Sequence, residues 1–500
     1  MTNEIKPKKK LIINAFDMGC IGLQNPGLWT HPDDTKASGY KSIEYWTNLA
    51  KLLEKGKFNA LFLADVLGGY DVYNGPRNIA PAARAAAQWP VNEPSAVVPA
   101  MAAVTKNLCF GITFSTISEA PYHLTRRLAT LDHLTKGRVG WNVVSSYLDS
   151  AARNLLNGEP LPEHDERYVR AAEYIQVVYE LFLSSWRDDA VINDRKKRIY
   201  TDPERVREIN FEGNYFKVPG PNITEPTPQR LPVILQAGTS SAGKDFAAKN
   251  AESVFVTGFS PESLKTQIDA IKSIAKNKYN REEGTIKFVQ LVTVIIGQTF
   301  EEAEKKYEEY RSHGDIQGAQ ALFSGWTGID IGQFDEKEEL RDVGSNAVRG
   351  FVDNWTKSAP GDPPNLKKTR EYVAKQITVG GLGPVFHGTA TQVADEIEKW
   401  VNISGIDGFN FTYAVSPGSF EDIVEYLIPE LQKRELVWDD YPESKVGDEP
   451  SLSFRESLFG TDREDPKFLL PSHPAGKLRW TPEFSKEEFE KYITELKENS

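Results

Sequence analysis

What most constrains this 500-residue chain is a repeated alternation. Short apolar runs of strand length are each followed by a segment whose apolar residues recur at helical spacing. A strand that is apolar throughout must be covered on both faces, and parallel strands joined by helices meet that requirement. Eight such runs stand out, at 11–16, 60–64, 109–113, 139–144, 233–236, 253–257, 287–296 and 408–413. Helical patterns lie between and after them at 42–55, 122–135, 166–182, 242–250, 261–276, 301–311 and 391–402. In the first of these, Ile43, Trp46, Leu49, Ala50 and Leu53 share a face, with Ser42 placed to cap its start and Gly56 its end. Eight strand–helix units predict an α/β fold of the TIM (β/α)8 barrel type rather than an open sheet.

The barrel is expected to occupy 11–431 as a single domain, preceded by a tail at 1–10. Two intervals, about 145–232 and 297–407, are too long for simple loops. Unstructured loops of that size are uncommon in compact domains, so both are read as structured insertions. The first contains a helix and then Pro- and Gly-rich chain; the second contains helices and the loop around Gly361-Asp-Pro-Pro-Asn. They leave from the C-terminal ends of strands four and seven, the end at which barrel enzymes build their sites. Residues 432–500 are charged yet hold Trp438, Tyr441, Phe454, Leu458, Phe468 and Trp480, so they are expected to pack on the barrel or on a partner subunit.

Charge and cysteine content remove several function classes. With 59 basic and 71 acidic side chains the net charge is −12, which supplies no basic face for nucleic acid. Two cysteines, Cys20 and Cys109, make neither a disulfide framework nor a cysteine zinc site, and they suit a reducing compartment. No stretch approaches the ~20 apolar residues of a membrane span. Lys6, Lys8, Lys9 and Lys10 precede a short apolar run broken by Asn14 and Asp17, unlike a signal peptide. A cytoplasmic protein without nucleic-acid or membrane partners is therefore expected. The seven histidines show no metal-ligand spacing, and there is no Gly-x-Ser-x-Gly elbow.

Polar residues at the predicted strand ends are the first site candidates. Asp65 closes Ala-Leu-Phe-Leu-Ala-Asp, as a ligand contact or as a helix cap or loop ion pair. Thr113 ends the third strand, where β-branched residues are ordinary. Asn142 sits inside Val-Gly-Trp-Asn-Val-Val, where its amide needs a partner, backbone or ligand. The loop Gln236-Ala-Gly-Thr-Ser-Ser-Ala-Gly, with Gly238, Ser240 and Ser241, runs from strand five into a helix. Small residues at a helix N-terminus suit a single phosphate, or else make an ordinary Ser-capped helix; the dinucleotide and Walker spacings are absent. His164 and Tyr168 are four apart and share a face if the helix already runs there. Cys20 falls past the first strand, as a site thiol or a buried structural one.

Several longer motifs then resemble a known family. They are Asn14-Ala-Phe-Asp-Met-Gly-Cys20, Gly27-Leu-Trp-Thr-His-Pro32, Leu53-Glu-Lys-Gly-Lys-Phe-Asn-Ala-Leu-Phe-Leu-Ala-Asp65, Tyr70-Asp-Val-Tyr73, Thr130-Leu-Asp-His-Leu-Thr-Lys-Gly-Arg-Val-Gly-Trp-Asn-Val-Val144, Glu163-His-Asp-Glu-Arg-Tyr168, Pro232-Val-Ile-Leu-Gln-Ala-Gly238, Ala414-Val-Ser-Pro-Gly-Ser419 and Arg455-Glu-Ser-Leu-Phe-Gly460. In this order they resemble the bacterial-luciferase-like flavin monooxygenases. The nearest branch is that of the long-chain alkane, dimethyl-sulfide, dibenzothiophene-sulfone and nitrilotriacetate monooxygenases. The resemblance implies a TIM barrel binding reduced FMN supplied by a separate flavin reductase. Oxygen then adds to the flavin, and a flavin peroxide oxygenates a small organic molecule of the alkane, thioether or sulfone class. It implies FMN contacts at Asp65, Thr113, Asn142, Ser145, His164, Tyr168, Ser240 and Ser241, with Gly238 in the same loop, and a homodimer or homotetramer.

On the substrate side the resemblance assigns catalytic positions to Cys20, Tyr70 and Gln88, and to Tyr147 where the alkane monooxygenase pattern has His. Leu23 also replaces a His of that pattern, and Leu322 and Leu382 align with a site His and Trp. These departures leave the substrate class open and weigh against direct transfer of the alkane assignment. A flavin-binding oxidoreductase or carrier without oxygenation is the second reading.

Overall fold

The computed structural model describes residues 10–238, 240–337, 339–340, 365–446 and 451–498. Nine parallel strands form the main sheet: β1 Ile12–Met18, β2 Ala60–Ala64, β3 Cys109–Ser115, β4 Val139–Val144, β5 Val233–Gln236, β6 Ser253–Val256, β7 Lys287–Ile296, β8 Val385–Gly388 and β9 Gly408–Thr412. Hydrogen-bonded neighbours run β6-β5-β4-β3-β2-β1-β9-β7, and β6 also pairs with β7, so eight strands close into a TIM barrel. The helix Ile43–Lys55 has the expected cap, Ser42 accepting from the Glu44 N–H, and buries Trp46, Leu49, Ala50 and Leu53. Each leucine so buried contributes about 1.5–3 kcal/mol.

The eight expected strands close the barrel, and a ninth, β8, adds to them at its edge. Val289–Thr293 of β7 pairs with β9, whereas Thr293–Ile296 pairs with β8. The ten-residue length of β7 is explained by these two successive partners. β8 is Val-Phe-His-Gly, too short and too mixed for a period to register. The first insertion holds helices Asp149–Leu155 and His164–Leu183. Two small antiparallel hairpins follow, Val191–Asp194 with Ile199–Thr201 and Phe211–Glu212 with Lys217–Val218. Their strands are two to four residues long and largely exposed, too short for an alternation to register. The second insertion contributes helices Phe300–His313, Ile316–Thr327, Arg370–Gly380 and Ala390–Ser404 besides β8. Gly361 to Pro364, and residues 1–9 of the tail, lie outside the described residues.

Two cores position the site. The barrel core joins strand and helix side chains into one cluster. A second cluster, including Tyr70, Leu148, Ala151, Leu322, Phe323 and Trp326, joins the inserted helices to the chain that follows β2. The C-terminal extension closes the other end. Phe454 N–H donates to Gly137 O just before β4. The fully buried Arg455 bonds Glu252 and the Leu231 carbonyl ahead of β6 and β5. Among the described residues no helix is long and apolar enough to cross a membrane.

Candidate functional site

Side chains alternate along each strand, so the inward residues at the C-terminal ends meet in one space. Phe16, Phe62, Thr113, Asn142, Gln236 and Phe255 all line a cavity of about 240 Å³. Its floor is aromatic: the Phe16 and Phe62 rings stack at 5.4 Å between centroids, and Phe255 lies 4.1 Å from Phe62. Asn142 donates from Nδ2 to Thr113 Oγ1 at 2.9 Å, which fixes the amide. Its Oδ1 is buried and has no partner, so an acceptor is left for a ligand N–H. Asp65, at the end of β2, has its carboxyl pushed up to about 7 by burial; the Glu93 charge adds to this and the Val66 N–H opposes it.

One wall suits an anion. The helix His164–Leu183 starts at His164, so His164 and Tyr168 are one turn apart with ring centroids at 5.1 Å. Arg167, only 6% exposed, lines the same wall. It donates to the Ser146 carbonyl, its Nε is buried without a partner, and burial lowers its affinity for the proton. Across from it, Ser240 caps the helix Ser241–Asn250, its Oγ accepting from the Gly243 N–H at 3.0 Å. Gln236 Oε1 accepts from the Gly238 N–H at 2.7 Å. A Cβ on Gly238 would stand 2.4 Å from Gln236 Nε2 and 2.7 Å from the Tyr168 hydroxyl, so only glycine permits this approach. An unpartnered guanidinium N–H and a helix N-terminus beside an aromatic floor match a ligand with one phosphate and a flat ring. FMN fits that donor set.

The opposite wall is a hydrogen-bonded aromatic group. Tyr70 donates to Gln88 Oε1 at 2.5 Å, receives the Trp326 Nε1–H at 3.2 Å, and lies 2.7 Å from the Tyr147 hydroxyl. The single Tyr70 proton is directed at Gln88, so the proton between the two phenols is that of Tyr147. Burial pushes the Tyr147 phenol up to about 12, and neither ring ionises near neutrality.

A family model described as luciferase-like monooxygenase matches residues 27–407. The chain belongs to the luciferase-like monooxygenase family. Dimethyl-sulfide monooxygenase of Hyphomicrobium sulfonivorans is 46% identical over 94% of each chain. Long-chain alkane monooxygenase of Geobacillus thermodenitrificans is also 46% identical, over 94% of this chain and 98% of its own. The crystal structure of DmoA from Hyphomicrobium sulfonivorans matches with a TM-score of 0.84 at 46% identity, covering 94% of this chain and 96% of that one. A riboflavin lyase solved with modified FMN and riboflavin matches with a TM-score of 0.84 at 31% identity, over 94% and 100%.

In this luciferase-like monooxygenase the cavity brings together Asp65, Gln88, Thr113, Asn142, Ser145, Tyr147, His164, Tyr168, Gly238 and Ser240. Three sequence candidates do not line it. Tyr70 stands behind Tyr147 and Gln88, and Ser241 is exposed at the first helical position. Cys20 is fully buried, its thiol donating to the Gly22 carbonyl and pushed up to about 12 by burial. Of the three departures from the alkane pattern besides Tyr147, Leu382 lines the cavity, whereas Leu23 and Leu322 are buried away from it. Sequence reasoning missed Arg167, Gln236 and Trp326 as site residues. Arg167 had a signal, since it lies between His164 and Tyr168 on the same first turns; Trp326 had none.

Proposed function

We propose that the chain is the oxygenating component of a two-component system. It takes reduced FMN from a separate flavin reductase and transfers one atom of O2 to a small apolar or sulfur-containing molecule. The observation that carries this reading is the pairing, in one cavity, of the anion-suited wall at Arg167, Gly238 and Ser240 with the aromatic floor. Arg167, His164, Tyr168 and Ser240 hold the phosphate, while the unpartnered Asn142 Oδ1 and the Asp65 carboxyl serve the polar edge of the ring. Bound reduced FMN supplies two electrons, so that one oxygen atom enters the substrate and the other leaves as water. Phe16, Phe62 and Phe255 exclude bulk water from that space. The two relatives of equal identity are named for a thioether and for alkanes, which supports the alkane, thioether or sulfone class without choosing within it. The protein works in the cytoplasm as a homodimer or homotetramer.

The test is oxygen uptake and product analysis with reduced FMN from a generic reductase, across alkanes, thioethers and sulfones. One panel member should give an oxygenated product. Sustained turnover of the purified chain with NADH and FMN alone would remove the separate reductase. Hydrogen peroxide as the sole product with every candidate would favour a flavin-binding oxidoreductase.

A further inference from the structure

A second cavity, of about 270 Å³, lies at the other end of the barrel, between the approach to β5 and the C-terminal extension. Its apolar wall comes from Leu183, Phe468, Leu469 and Leu470, and three cationic residues, Arg230, Lys477 and Arg479, also line it. Arg230 is 3% exposed, and its backbone has a φ of 60°. Its Nη2 donates to the carbonyls of Leu183 at 3.1 Å and Trp186 at 2.8 Å, and its Nε lies 2.9 Å from Asp188 Oδ1. Its Nη1 is buried with no hydrogen-bond partner. Leaving such a donor unsatisfied is costly, and more so when it is charged.

Asp188 is already shared. Arg479 holds its Oδ2 at 2.7 and 2.8 Å, and lies over the Phe468 ring at 3.7 Å. Asp465 is 3.7 Å from Arg479 and mostly exposed, and the buried Asp132 is taken up by the N–H and side-chain amide of the lining Gln229. Lys477 is exposed. In a chain of net charge −12, three cations around an apolar cavity, with one half-buried carboxylate between two guanidinium groups, is a local reversal of sign.

We propose that this cavity binds a small organic anion, a carboxylate or sulfonate carrying a short hydrocarbon body. The head group meets the unpartnered Nη1 of Arg230, whose two N–H groups can donate to one oxyanion. The hydrocarbon lies on Leu183, Phe468 and Leu470. This site stands apart from the flavin cavity: Gln236, at the C-terminal end of β5, lines that one, whereas Arg230 precedes the N-terminal end. Occupancy clamps the extension onto the barrel and stabilises the fold by mass action.

The experiment is calorimetric titration and thermal unfolding of the full chain with hexanoate, hexanesulfonate, hexan-1-ol and inorganic phosphate. Both organic anions should bind saturably at one site and raise the Tm, and the alcohol and phosphate should bind at least tenfold more weakly. Lys477→Glu should weaken hexanoate by about fivefold or more. Gly476→Phe should abolish binding yet keep reduced-FMN-dependent oxygen uptake, because a Cβ there meets nothing nearer than the Leu470 carbonyl at 3.9 Å. Arg230→Gln should also abolish it, but it releases two carbonyls, so Gly476→Phe carries the decision. No saturable binding of either anion, undiminished binding in Gly476→Phe, or equal binding of hexan-1-ol or phosphate would each overturn the proposal.

Discussion

The two walls of the main cavity are assembled in opposite ways. The anion-suited wall comes from two short stretches of chain, the first turns at His164–Tyr168 and the loop from Gln236 to Gly243. The aromatic wall is gathered from afar: Tyr70 reaches Gln88 across 18 positions, Tyr147 across 77 and Trp326 across 256. The first wall can be specified by local spacing and capping chemistry. The second exists only because the inserted helices form a core of their own. The anion-suited wall therefore joins the start of one inserted helix to one barrel loop, each specified locally, whereas the aromatic wall depends on contacts between the second insertion and the chain after β2.

If the walls are energetically separate, damage to the second core should spare flavin binding. Leu322 is fully buried in that core. Leu322→Ala should cost about 2–5 kcal/mol of stability, read by urea unfolding. FMN affinity of the folded protein should change by less than twofold; a parallel loss of affinity would break the comparison. The next effect belongs to the other wall. Ser240→Asp places a carboxylate at a helix end suited to only one anion, so FMN affinity should fall by at least about 2 kcal/mol. Ser241→Asp, exposed and outside the lining, should lose less, and fluorescence titration of both variants sharpens where the phosphate sits. Riboflavin binding as tightly as FMN would mean that this wall reads no phosphate.

The same contrast explains what the sequence made legible. Seven of the eight closing strands start at the expected position and the eighth, β1, starts one residue later, because a doubly covered parallel strand is an unbroken apolar run. Asn142 and Ser240 could be singled out because a polar group in a strand, or at a helix start, needs a partner. Arg167 was passed over because a charged residue in a first helical turn ordinarily faces solvent. Trp326 and β8 stayed hidden for another reason: their roles come from partners far along the chain, and no local period records that.

Tyr147 tests whether the aromatic wall does more than fill space. Its proton is committed to Tyr70, so its oxygen faces the cavity as an acceptor rather than as the donor a free phenol would be. Tyr147→Phe keeps the ring and deletes that acceptor. Product formed per O2 consumed should fall roughly tenfold, about 1.4 kcal/mol, with the remainder leaving as hydrogen peroxide and FMN affinity nearly unchanged. A Tyr that only covers the insertion would instead lower stability with coupling intact.

A pH test separates the walls at Asp65, which lines both the main cavity and a side chamber of about 70 Å³ next to Tyr147 and Leu148. Burial, with the Glu93 charge, raises its carboxyl from 3.8 to about 7. Between those two values the folded protein binds more protons at this group than the unfolded chain does. Its contribution therefore favours folding least at high pH: stability declines as pH rises from about 4 toward 7 and levels off above that. Asp65→Asn removes the titration and should flatten that part of the curve, read as urea midpoints at pH 5 and pH 8. The wild type should lose more midpoint between those two values than the variant does. Equal losses would mean that the carboxyl is solvated enough to ionise freely, and that the polar edge of the cavity carries a full negative charge at neutral pH.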